Sequence, residues 1–247
     1  MHTLLLRIAG PLQSWGSSSQ FDTRDTELEP TRSGVIGMIA GAFGMDRGED
    51  LSCFDDLGFG VRIEQPGEVI RDYHTVYTKS DYGEMASKDK VATKVTNRFY
   101  LADAVFVVGI DSSDISFLES IADALDRPYY APYLGRRSCP PTGKLVLGIV
   151  EGSVEQVLRN VEWHASDWYK QKKIKERQDI HLSLVLERAD GAYRRRDFPM
   201  SFGVNKREYR YRNIEYLMGK GAGVLVYTAP KVDKVGVPEE HDPMAGL

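Results

Sequence analysis

The run PTRSGVIGMIAGAFG spans residues Pro30–Gly44, and no charge falls between Ser33 and Met45. Ile36, Ile39 and Phe43 recur at helical spacing with Val35 beside them, so the run reads as a helix. Gly34, Gly37, Gly41 and Gly44 follow at intervals of three, four and three, which places them in one narrow arc. Each interior glycine costs roughly 1 kcal/mol relative to alanine, and the usual return is close approach by another backbone. A helix apolar all round is buried, so this one is expected between two layers. Thr31 or Ser33 is placed to cap its start. Arg32 then stands where the helix dipole disfavours a cation. Two explanations stay open. An anion such as phosphate shares the site, since helix starts bind phosphate readily, or Arg32 pairs with Glu27 or Glu29.

The chain of 247 residues is long enough for one elaborated domain or two small ones. Its 42% apolar and 28% charged content is that of a soluble globular protein. MHTLLLRIAG has too short an apolar core for a signal peptide, and no apolar run reaches a membrane span. Two distant cysteines, Cys53 and Cys139, imply a reducing compartment, so the cytoplasm is the default. A net charge of −4 argues by itself against nucleic acid. The distribution argues otherwise. Acids crowd the first sixty residues, while bases gather at Arg136-Arg137, Lys170 to Arg177, Arg194 to Arg196 and Lys206 to Arg212. Separate acidic and basic faces suit a protein that meets phosphate on one side only; a run of surface charge is also simply a solvated face.

Outward from the central helix, Thr3–Ala9 reads as a buried strand ended by Gly10-Pro11. Trp15 follows in a glycine-flanked loop, either as a lid on the core or as a stacking platform. Phe59–Glu64 and Val69–Thr78 alternate as strands, and Ala104–Ile110 is a buried one. Lys79–Arg98 is polar and basic and reads as an exposed hairpin. Ser112 or Ser113 is expected to cap a helix running to about Leu125. Lys144–Val150 is a strand and Ser153–Val161 a short helix. This order matches the split βαβ of ferredoxin-like folds, so the fold class is α+β, a βαββαβ domain with β-rich material after it. Trp163 to Arg177 is amphipathic and basic, loop or helix. Ile180–Glu187, Phe198–Val204, Glu208–Arg212 and Gly223–Tyr227 supply further strands, with Asp190-Gly191 as a hairpin turn. Residues 1–150 make the first domain, 151–230 the β-rich part and 231–247 a flexible tail.

Five scattered histidines show no metal-ligand spacing, and no cofactor motif is present. Gly219-Lys220-Gly221-Ala222-Gly223 precedes a strand, which favours a hairpin turn over a phosphate cradle. Tyr73 and His74, with nearby lysines, have the residue types for acid–base cleavage of RNA; a strand tyrosine and a hydrogen-bonded histidine are the plainer reading. Tyr129–Gly143, YYAPYLGRRSCPPTG, sets rings beside Arg136 and Arg137, as single-stranded RNA requires, though a structural loop with surface arginines fits equally.

Three blocks together, Leu6–Gly16 (LRIAGPLQSWG), Pro30–Gly44 and Tyr133–Gly143 (YLGRRSCPPTG), with Arg71–Val76 (RDYHTV) between, carry a resemblance. They resemble the type I-E branch of the fifth CRISPR-associated family, RAMP proteins of the Cascade surveillance complex. The likeness runs in order from about Leu4 to Gly148 and is loose beyond Val161. It implies a ferredoxin-like domain with a thumb hairpin inserted at about 79–99. It implies a non-catalytic subunit that binds the five-prime handle of the crRNA and caps the backbone subunits in antiviral defence. RNA contact is carried onto Gln13, Ser14, Trp15, Arg32, Ser33, His74, Arg98, Tyr133, Arg136 and Arg137. The implied partners are a backbone subunit of the CasC type and a large subunit of the CasA type. Target DNA is met indirectly, and no membrane, metal or cofactor is implied. The runner-up is a metal-independent endoribonuclease trimming precursor crRNA, as in a type I-C relative, with Tyr73, His74 and Lys79 as candidates.

Overall fold

In the computed structural model the central helix, α1, spans Arg32–Phe43. Thr31 caps it, its side chain accepting from the Gly34 amide. Gly44, at φ 79°, ends it in the left-handed conformation that glycine adopts most cheaply. The structure describes residues 1–17, 23–78, 92–204 and 207–230, with backbone alone at 76–78 and 92–94.

Around α1 stands an α+β fold with a mostly antiparallel sheet and, among the described residues, four α-helices. The first half contributes β1 (His2–Ala9), β4 (Gly58–Gln65), β7 (Val105–Ser112), α2 (Ile115–Asp126) and β8 (Val146–Glu151). The second half contributes α3 (Val154–Asn160), α4 (Asp167–Lys175), β9 (Ile180–Glu187), β10 (Tyr193–Phe202), β11 (Arg207–Leu217) and β12 (Val224–Tyr227). The main sheet runs β10-β11-β9-β4-β7-β1-β8, with β12 on β9. The β-rich part after residue 151 therefore continues the sheet of the first half, through β9 on β4. A second sheet places β6 (Ala92–Ala102) between β2 (Leu12–Gln13) and β3 (Thr23–Arg24), with β5 (Glu68–Thr78) also on β6.

Side chains alternate across a strand, and both faces of the main sheet are covered. Leu4, Leu6, Ile8, Phe106, Val108 and Ile110 pack under α1 and α2 with Val35, Ile36, Ile39, Leu118 and Ile121. Leu5 and Val107 face the other way, onto Val154, Val157 and Leu158 of α3. Burial on both faces explains why β1 and β7 read as continuous apolar runs. Among the described residues no helix is long and apolar enough to cross a membrane.

Several local expectations change. Asp114, not Ser112 or Ser113, caps α2, accepting from the Phe117 amide at 3.1 Å. Asp190-Gly191 turns the chain, but β9 and β10 are not a hairpin, because β11 lies between them. Gly219–Gly223 is not a hairpin turn either: β11 and β12 pair in succession with β9, so the glycines bulge out between them. The polar excursion is strand from Ala92 onward, paired with β5; residues 79–91, and the tail at 231–247, lie outside the described residues. On its Cβ side the glycine arc faces no other backbone; its one backbone neighbour among the described residues is the Tyr130 amide, which donates to the Gly41 carbonyl at 3.3 Å. Gly34 faces the Trp15 ring, Gly37 meets Phe202 at ordinary distance, and a Cβ on Gly41 would meet nothing within 4 Å.

Candidate nucleic-acid interface

The anion at the start of α1 belongs to the protein. Asp197 on β10 accepts from the Arg32 amide at 2.9 Å, and from Arg212 Nε at 2.6 Å and Nη2 at 2.9 Å. The Arg32 side chain turns inward and is 1% exposed. Its Nη1 donates to Glu187 at 3.0 Å and to the Leu57 carbonyl at 2.7 Å, and Nη2 donates to the Phe54 carbonyl at 2.9 Å. Its guanidinium also lies 4.4 Å from the Phe198 ring centroid. Burial lowers its pKa, and Glu187 opposes that shift. Neither Glu27 nor Glu29 is its partner; both face Arg195 instead. A guanidinium engaged on this many internal acceptors offers none of its face to RNA, so the contact expected of Arg32 is corrected to a structural one.

Trp15 and Gln13 are likewise internal. Trp15 is 0% exposed, and its Nε1 donates to Gln13 Oε1 at 3.0 Å. Gln13 Nε2 donates to the Ala104 carbonyl at 2.7 Å. The lid reading of the tryptophan holds, because Gly34 leaves room for the ring against the first turn of α1.

Above this lid lies a cleft of ≈ 630 Å³ lined by Ser14, Trp15, Ser33, Gly34, Gly135 and Arg136, with Arg24, Arg207 and Tyr209 and one carboxylate, Asp25. The start of α1 and the late loop therefore converge on one space. Gly135 makes the approach possible. It sits at φ 81°, and a Cβ there would fall on the Ser14 carbonyl. Arg136 spans the gap, with Nη2 donating to the Arg24 carbonyl at 2.9 Å and its plane 4.5 Å from the Tyr100 centroid. Its Nη1 is buried without an acceptor among the described residues. Arg137 is exposed and Tyr133 half-buried, and neither lines the cleft.

Arg98 stands beside the cleft, since β3 and β6 pair in parallel with Arg24 opposite Arg98. His74 lies further along β5, half-exposed, with Nδ1 3.8 Å from Asp72 Oδ2. Tyr73 and His74 are neighbours on one strand and point to opposite faces; Lys79 lies outside the described residues. Among the described residues no group of three or more His, Cys, Asp or Glu is placed to hold a metal ion. The expected set omitted Arg24, Arg207 and Tyr209. The alternation of Arg207 and Tyr209 along β11 was a readable signal, within a cluster already marked by its charge.

The chain belongs to the Cas5 family of CRISPR-associated proteins. A family model described as "CRISPR-associated protein (Cas_Cas5)" matches residues 3–215. Among its relatives is the CRISPR system Cascade subunit CasD of Escherichia coli (strain K12), 35% identical over an alignment of 187 residues that covers 69% of this chain and 82% of that one. The fold is similar to a chain of a solved CRISPR RNA-guided surveillance complex, with TM-score 0.73 and 34% identity over 90% of this chain and 91% of that chain. A second solved structure, titled a Cas protein, is similar with TM-score 0.67 and 31% identity, covering 93% and 98% of the two chains.

Proposed function

We propose that this chain is a non-catalytic subunit of a Cascade-type surveillance ribonucleoprotein, and that the cleft between α1 and the Arg136 loop holds the five-prime handle of its crRNA. The observation that carries this reading is the convergence of Arg24, Arg136 and Arg207 on one space with Ser33. Guanidiniums pair with phosphate oxygens through charge-assisted bonds, and hydroxyls suit the ribose 2′-OH. Arg136 Nη1 is already desolvated and gains an acceptor when a phosphate enters.

The order β8-β1-β7-β4, antiparallel throughout, supports assigning the first 150 residues to a ferredoxin-like core. A thumb over about 79–99 is, in this reading, inserted between β5 and the end of β6, with His74 and Arg98 flanking it. In this reading the thumb packs beside a CasC-type backbone subunit and a CasA-type subunit abuts the handle, in the cytoplasm.

The test is a salt titration of handle binding by fluorescence anisotropy. Each phosphate contact contributes roughly 0.7 to the logarithmic salt slope on single strands. Arg136→Ala is expected to weaken binding and to lower the slope by about that amount, whereas Arg137→Ala moves it less. An unchanged affinity and slope in Arg136→Ala refutes the placement.

A further inference from the structure

Beside the first cleft, and sharing Arg207 and Tyr209 with it, lies a second hollow of ≈ 640 Å³. Its walls come mainly from β10 and β11, which pair with Tyr193 opposite Ile214 and Arg194 opposite Asn213. Two large rings stand half bare there, Tyr193 57% and Tyr211 53% exposed; the register sets Tyr193 with Arg195 on one face of the ribbon and Tyr211 with Arg194 on the other. Both are nonetheless held in place. Tyr193 meets Tyr216 edge-on at 5.4 Å, and the Arg194 guanidinium lies 4.8 Å from the Tyr211 centroid. Exposed rings fixed by a guanidinium and a second ring are ready-made platforms for flat ligands.

On the face of Tyr193 is Arg195, its side chain only 10% exposed. Its Nη2 donates to Glu29 Oε1 and to the Tyr216 hydroxyl, both at 2.6 Å. Its Nη1 is buried and has no acceptor among the described residues. A buried N–H without an acceptor is costly, and this one belongs to a residue lining the hollow. Arg194, Arg196 and Arg207 add positive charge, against one lining carboxylate, Glu27. Rings interleaved with guanidiniums in a basic hollow match a single strand, whose unstacked bases expose their faces; a duplex hides them.

We propose that the second hollow is a stacking site for single-stranded RNA, continuing the strand held in the first cleft. A base packs on Tyr193, Arg195 Nη1 on the same face donates to a phosphate or base oxygen, and Arg207 is shared by the two basins. The inference rests on the reading of the first cleft as the handle's seat, and gives that RNA a direction across the molecule.

The test uses the full-length protein and RNAs from the guide's five-prime end, in a ladder of roughly 4–16 nucleotides. For the wild type, affinity rises with length as the second basin fills. The variant Tyr193→Ala loses that rise, by about 5- to 150-fold for a ring that stacks a base, and binds the shortest RNA as the wild type does. Tyr193→Phe keeps the rise. Arg136→Ala weakens every length. A rise that survives in the alanine variant overturns this inference alone, as does an equal loss at all lengths. So does RNA binding that stays intact while assembly with the other subunits fails, which would make the hollow a protein contact. A wild type with no affinity at any length overturns the reading of the first cleft, and this one with it.

Discussion

Replacing Gly34 and Gly41 by alanine, one at a time, separates two reasons for a glycine in α1. A Cβ on Gly34 would stand 2.7 Å from Cε3 and 2.9 Å from Cζ3 of Trp15. The ring cannot yield easily, being fully buried and tied to Gln13. Overpacking of this kind costs about 1–3 kcal/mol, and alanine's better helix propensity offsets at most about 1 kcal/mol of it. The expected net loss is about 1–2 kcal/mol. Gly41 has open space where its Cβ would go, so the same substitution gains about 0.5–1 kcal/mol. A chain of this size shifts by about 2–4 °C per kcal/mol. Gly34→Ala therefore melts about 2–8 °C lower and Gly41→Ala about 1–4 °C higher. Thermal unfolding followed by circular dichroism reads both. Equal shifts in the two variants, or a gain from Gly34→Ala, refute the reasoning.

Asp197→Ala strips the buried Arg212 guanidinium and the Arg32 amide of their shared carboxylate, and is expected to cost about 3–5 kcal/mol. Urea unfolding reads this as a lower midpoint at unchanged slope. Tyr216 is pushed up to about 12, first by burial and then by its hydrogen bond to Glu29. The folded chain thus holds that proton more tightly than the unfolded one. Its contribution is intact below about pH 10 and is lost as pH rises through about 12. Ultraviolet titration is expected to show a late phenol that Tyr216→Phe removes. Cys53 is exposed and Cys139 buried, with burial raising the Cys139 thiol. A disulfide reagent should consume one thiol in the native protein and the second only on unfolding; two fast thiols would contradict the packing around Cys139.

What was legible in the sequence was whatever depended on neighbours along the chain. The apolar period fixed α1, and unbroken apolar runs gave β1 and β7 because both of their faces are buried. The oddity of a cation at Arg32 was also visible, and so was its need for an anion. The anion's identity was not, because Asp197 lies 165 positions away and reaches the helix only through the pairing of β10 and β11. The same limit applies to Asp190-Gly191. The turn is local and was readable, but the insertion of β11 between its flanking strands is a pairing choice made elsewhere. Arg62 shows it again. It sits in an alternating strand as an ordinary charged residue, yet it is fully buried against Glu64 and the Leu158 and Val161 carbonyls. In the cleft, Ser33 and Arg136 were readable from the helix start and the ring-rich loop, whereas Arg24 and Arg207 join them only through tertiary placement.

The main sheet ends at β10, and an end strand with bare amides invites a foreign strand to add on. Here Pro199 removes one N–H, the ladder slips between Arg195 and Phe198 and again between Pro199 and Ser201, and Arg194 and Arg196 set like charge on the margin. Two copies meeting along this border would find neither register nor neutrality. The arginine run thus keeps a long, otherwise open sheet from templating filaments, a safeguard independent of any ligand it holds.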